Sequence, residues 1–188
     1  HVPFDGWVMP TLERGAKDIG LTAEDAHRAF PGGAMEAIDL FNREADARML
    51  ETLERDYTLA TMRIRERIAT CVMVRLRGNM PYREAVRRGL SHYQMPWNAA
   101  RGLKSLYKTV DAMWRAAGDT STDYNFYTKR LLLSKVYVST LYVWLDDNSP
   151  ELKDTEAFLY RRIEDVMKIE KAKATVKGWF GAKPARRA

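Results

Sequence analysis

Apolar side chains recur at three- and four-residue spacing along almost the whole chain, and no stretch sustains strand-like alternation between turn signals, which restricts the 188 residues to an all-α fold. Glycine and proline punctuate the pattern. A helix near Met9–Ile19 stops at Gly20, a second runs from about Ala23 to Phe30 behind Thr22 as cap, and Pro31-Gly32-Gly33 precedes a third near Ala34–Asp56. Further helices are predicted over Leu59–Arg77, Tyr82–Tyr93, Asn98–Ala117 and Tyr124–Leu145, with a last long one from about Thr155 into a basic tail. The organisation expected is a helix-turn-helix-like region over 1–57, a helical bundle over 58–167 and a tail over 168–188.

The junction from Gly118 to Arg130 is the most informative single stretch. Gly118 is a natural helix stop, and Ser121, Thr122 and Asp123 can each cap the helix that follows. Tyr124, Phe126 and Tyr127 cannot all enter one core, because neighbouring helical positions do not share a face, so at least one ring should face outward. A capped junction with rings packed on both sides and a partner-binding patch are the two readings this pattern allows.

Charge is distributed unevenly. From Lys168 onward seven bases face one acid, which accounts for the whole net charge of +6, while the 24 bases and 24 acids before it cancel. Such a field suits a solvated tail or, given Trp179 and Phe180 among the bases, a membrane-surface segment. The sequence offers no secretory signal, and its longest apolar run, 131–145, is broken by Ser134-Lys135 and Ser139-Thr140 and is shorter than the about 18 residues of a membrane span. Cys71 stands alone, so no internal disulfide is possible, and its apolar neighbours mark it as a core residue.

Residues 11–30 have the outline of a helix-turn-helix and resemble the N-terminal part of TetR-type regulators. Glu24 and Asp25 on the would-be reading helix oppose a polyphosphate, so retained architecture without nucleic-acid binding is expected. Glu24-x-x-His27 has di-iron ligand spacing, but the chain contains no second copy and three histidines in all, so no metal site is expected. Phosphate-loop and nucleophile-elbow motifs are likewise missing, and nothing argues for catalysis. The methionines and tryptophans on helix faces read first as core filler and second as cavity lining.

The segments Pro3–Trp7, Ala29–Gly33, Met62–Ile68, Val110–Trp114, Ala117–Arg130, Ala157–Leu159 and Arg161–Ile163, in this order, resemble the coenzyme Q biosynthesis protein nine family, lipid-binding accessory proteins of ubiquinone synthesis. The resemblance implies a TetR-like bundle without DNA binding, a homodimer built from the long helices, and no cofactor beyond a bound lipid or isoprenoid quinone intermediate. It also implies a partner, the demethoxyubiquinone hydroxylase, docked on a patch containing Met113, Asp123, Phe126 and Tyr127; many relatives carry Trp at the position of Phe126. On this reading Met62, Val72, Leu76, Leu106, Val110, Trp114, Leu132, Val136, Leu141 and Trp144 line the lipid cavity. Ile169, Lys173, Lys177, Trp179 and Phe180 belong to an amphipathic helix that contacts membrane. The implied location is peripheral: the cytoplasmic face of a bacterial inner membrane, or the matrix side of the mitochondrial one. A ligand-responsive DNA-binding regulator is the alternative on the same architecture.

Overall fold

A computed structural model describes residues 1–122 and 124–181; the side chains of 124, 125 and 169–181 are outside that description. Among the described residues every regular element is helical: α1 (Val2–Asp5), α2 (Met9–Asp18), α3 (Ala23–Ala29), α4 (Ala34–Asp56), α5 (Ile64–Gly78), α6 (Arg83–Tyr93), α7 (Ala99–Ala116), α8 (Tyr124–Asp146) and α9 (Lys153–Gly181), with short 3₁₀ turns before α5, α6, α7 and α9.

Local hydrogen bonds set several of the boundaries. Thr22 and Asp25 form a reciprocal capping box at the start of α3, and Gly20 takes φ 80 in the turn before it. The helix expected over Leu59–Arg77 is instead a 3₁₀ turn at Leu59–Thr61 followed by α5. Arg63 is extended, and its amide donates to Glu66 Oε2 at 3.0 Å, which restarts the helix after Met62. At the entrance to α9, Glu151 and Leu152 both adopt positive φ (55 and 62). The buried Asp147 carboxylate anchors that turn by accepting from the amides of Ser149 (2.7 Å) and Thr155 (2.9 Å) and from the Thr155 hydroxyl. Burial alone would raise the Asp147 pKa; the hydrogen bonds from Ser149 and Thr155 outweigh it and bring the group down to about 2.

Two apolar clusters result. The smaller joins the N-terminal helices to α6: Trp7 packs with Ala37, Ile38 and Ala85, and its indole donates to the Ala85 carbonyl at 2.9 Å. The larger lies among α4, α5, α7, α8 and α9, with Met49, Val72, Leu76, Val110, Met113, Trp144 and Leu159 at its centre. Because α4 supplies Ala37 and Ile38 to one cluster and Met49 and Leu53 to the other, it ties the helix-turn-helix region to the bundle.

Candidate functional site

The α7–α8 junction is built by buried charge. Gly118, at φ 87, ends α7, and the last turn is tied down when Arg67 donates to the carbonyls of Ala117 (3.0 Å), Met62 (2.9 Å) and Ala60 (2.9 Å). Beyond it Asp119, with a side chain only 2% exposed, accepts from Lys129 Nζ at 2.7 Å, from the Ser121 hydroxyl at 2.7 Å and from Arg130 Nη1 at 3.0 Å. The Arg130 guanidinium, equally buried, also donates to Asp111 at 2.7 Å and to the Phe126 carbonyl at 3.1 Å. Burial pushes the Asp119 carboxyl upward, but the donors Lys129, Ser121 and Arg130 more than offset it and hold the group well below the usual carboxylate range.

This network sets the aromatics. The Arg130 guanidinium carbon lies 3.3 Å from the Phe126 ring centroid, and Phe126 meets Tyr127 edge-on at 5.1 Å. Tyr127 is 67% exposed, the outward ring that the spacing requires. Two other expected patch members fall elsewhere. Met113 is fully buried on the inner face of α7, where its carbonyl faces the Cys71 thiol at 3.7 Å, and Asp123 lies outside the described residues.

Beside the junction an apolar groove of about 420 Å³ runs between α5, α7, α8 and α9, lined by Ile64, Ile68, Trp114, Leu132, Leu133, Val136, Ile163, Val166 and Met167, with Arg65 and Lys129 also contributing. Trp114 links groove to junction: its indole donates to the Lys129 carbonyl at 3.1 Å, and the Lys129 ammonium stands 5.5 Å from its ring. A second cavity, also about 420 Å³, lies between α4, α5, α6, α7 and α8. Its walls include Ile38, Phe41, Val86, Leu90, Leu106 and Leu141, with Arg75 among them.

The ten residues expected to line one lipid cavity are therefore divided. Trp114, Leu132 and Val136 line the groove, and Leu106 and Leu141 line the second cavity. Val72, Leu76, Val110 and Trp144 are instead fully buried in the packed core and line neither. Met62, half-buried before α5, presents its sulfur 3.8 Å from the Thr70 hydroxyl. Ile169, Lys173, Lys177, Trp179 and Phe180 fall within α9, with side chains outside the described set. Among the described residues no helix is long and apolar enough to cross a membrane.

Sequence reasoning missed Arg75, whose signal was a lone charge in the run Ile68–Leu76, a helix apolar on nearly every face. It is 2% exposed, donates through Nε to Asp46 at 2.8 Å and through Nη2 to the Asn42 carbonyl at 3.4 Å, while Thr109 donates to the same Asp46 at 2.9 Å. Cys71 is fully buried, and desolvation pushes its thiol up to about 12, which fits a core residue. In the helix-turn-helix, the His27 ring is within hydrogen-bond distance of Glu13 at 2.9 Å and Arg28 pairs with Asp25, so both side chains are already engaged by carboxylates.

Comparison with known proteins places this geometry. The COQ9 family model matches residues 99–170, the segment that holds α7, the junction, α8 and most of α9. Proteins named ubiquinone biosynthesis protein COQ9, mitochondrial, are 35% identical in Homo sapiens and 36% in Rattus norvegicus, over 96% of this chain. The chain belongs to the COQ9 family. It spans 61% and 62% of the length of those two relatives. A TetR transcriptional regulator from Nitrosomonas europaea superposes with a TM-score of 0.66 at 21% identity, covering 81% of this chain and 83% of its own; this establishes the TetR-like fold of this COQ9 chain.

Proposed function

We propose that this chain is a non-catalytic accessory protein of ubiquinone biosynthesis that binds lipid and presents polyprenylated quinone intermediates to the demethoxyubiquinone hydroxylase at a membrane surface. The observation that carries the reading is the apolar groove of about 420 Å³ placed between the Phe126–Tyr127 junction and α9, whose basic, aromatic end follows directly. A polyprenyl chain is held in a bilayer by about 0.8 kcal/mol per buried CH₂, so a protein that offers an apolar surface beside the membrane lowers the cost of extraction.

In this account Trp114, Leu132 and Val136 contact the isoprenoid, and Ile169, Lys173, Lys177, Trp179 and Phe180 hold α9 on the leaflet. Phe126 and Tyr127, fixed by Arg130, meet the hydroxylase. A homodimer formed by the long helices would give each membrane contact a second copy and strengthen attachment through effective concentration. The mitochondrial names of the relatives support a mitochondrial location for a eukaryotic source, where the membrane surface of this reading is the matrix side of the inner membrane; the cytoplasmic face of the inner membrane is the equivalent for a bacterial one. The acids Glu24 and Asp25 of α3, and the pairing of Arg28 with Asp25, speak against a DNA-binding role.

Replacing Phe126 and Tyr127 with Ala tests the docking assignment. Co-purification of the hydroxylase should fall at least about tenfold, the loss of one aromatic hot spot, with helicity unchanged. Undiminished co-purification with a folded variant would contradict it.

A further inference from the structure

We infer that the seam between α4 and α7 is a binding site for a compact, multiply charged phosphate anion, a diphosphate group above all, held by Arg43, Lys104 and Lys108. A pocket of about 330 Å³ opens there, with the cations Arg43, Arg101, Lys104 and Lys108 and the carboxylates Asp39 and Asp46 on its walls beside Asn42 and Ser105. Both carboxylates are engaged within the protein. Asp39 accepts from Arg101 at 2.6 Å and from the Tyr93 hydroxyl at 2.7 Å, and Asp46 accepts from the buried Arg75 at 2.8 Å and from Thr109 at 2.9 Å. Arg43, Lys104 and Lys108 pair with no carboxylate among the described residues, so three uncompensated positive charges line one concavity.

Charge and size select the ligand. Lys104 and Lys108 stand one turn apart on α7, where like charges repel, and Arg43 adds a third charge from α4; an anion between them removes that repulsion. One phosphate group brings about 1.5–2 negative charges, so two linked ones balance the three cations, whereas a lone carboxylate leaves two of them unbalanced. Arginine grips phosphate oxygens as a planar fork and lysine as a point charge, and the pocket has the volume of a small molecule. An extended polyanion such as a nucleic acid fits poorly, because the row Arg101, Lys104, Lys108 meets the acid Asp111 at the next position on the same face of α7. The seam shares no wall residue with the groove and so does not rest on the lipid-presenting reading. It shares Asn42 and Ser105 with the second cavity, but none of its three free cations lines that cavity.

Calorimetric titration of the full chain with inorganic diphosphate, inorganic phosphate and acetate tests the inference. Diphosphate should bind at least about tenfold tighter than phosphate, acetate more weakly than either, and added salt should weaken all three. Lys104→Gln/Lys108→Gln should weaken diphosphate binding at least about tenfold. Lys17→Gln/Lys153→Gln, which removes the same charge from exposed positions elsewhere, should leave it unchanged; both variants keep the basic stretch from Lys168 onward, so binding there cannot produce the difference. Amine-reactive labelling read by mass spectrometry locates the ligand: saturating diphosphate should protect Lys104 and Lys108 and leave Lys17 and Lys153 labelled. Vesicles separate the two sources of such a phosphate. Protection of Lys104 and Lys108 by phosphatidate vesicles, and not by phosphatidylcholine ones, assigns the site to a lipid headgroup; protection by diphosphate alone assigns it to a soluble ligand. Equal diphosphate affinity in the two double variants, no preference for diphosphate over phosphate and acetate, or labelling of Lys104 and Lys108 unchanged by diphosphate would each overturn the assignment.

Discussion

Replacing Asp119 with Asn should cost the protein far more than an exchange of one carboxylate for an amide of the same shape usually does. Lys129, at 37% exposure, can turn its ammonium toward water when Asp119 loses its charge, so it contributes little to the penalty. Arg130 cannot, because its guanidinium is 3% exposed and is held by Asp119 on one side and Asp111 on the other. Breaking a buried pair by removing one charge costs about 3–5 kcal/mol. Since Asp111 remains at 2.7 Å, the lower end applies, about 3 kcal/mol. In a chain of this size each kcal/mol shifts the melting temperature by about 2–4 °C, which gives a drop of about 6–12 °C at neutral pH by scanning calorimetry.

The pH dependence has a definite sign. The Asp119 carboxyl titrates lower in the folded protein than in the unfolded chain, so its stabilisation is complete above the unfolded value of about 3.9 and disappears as pH falls through the folded one. The gap in melting temperature between the native sequence and the variant should therefore be constant from neutral pH down to about 5 and narrow below about 4. Melting temperatures within about 2 °C of each other at pH 7, or a gap that widens in acid, would show that Arg130 does not depend on the Asp119 charge.

Asp147→Ala removes three hydrogen bonds at the entrance to α9 and should cost about 1–2 kcal/mol by denaturant titration. Because the Asp147 carboxyl is brought down to about 2, that contribution should be intact above pH 4 and fade between about 4 and 2; an acid-independent cost would contradict this. Cys71, fully buried with its thiol pushed up to about 12, should react with a water-soluble disulfide reagent at pH 8 only on unfolding, and rapid native labelling would count against its place in the core.

The all-α class and the order of the helices were legible in the sequence, because apolar positions recur at helical spacing and Gly or Pro bounds most of the long helices at one end, though α4 runs to Tyr57 without either. The restart at Arg63 was not, since Leu59, Met62 and Ala69 keep helical phase across it and the decisive contact is the Glu66 carboxylate on the Arg63 amide. At the junction, spacing alone required an exposed ring, and Tyr127 supplies it. Periodicity could not divide Val72, Leu76, Val110 and Trp144 from Trp114, Leu132 and Val136, however. An inward position reads the same whether the space before it is filled by another helix or left as a groove. Met113 illustrates the same limit: its place beside the junction in sequence says nothing about depth. Arg75 was legible as an anomaly, though its partner Asp46, 29 residues away, was not.

The proposed function requires the groove among α5, α7, α8 and α9 to hold an isoprenoid. Native mass spectrometry of the purified chain, with lipid extraction from the same sample, tests it most directly when the native sequence is compared with Leu132→Trp. The native chain should carry an isoprenoid-containing lipid adduct that the variant has lost at unchanged helicity. Equal isoprenoid occupancy of the two, or none in either, would contradict the account.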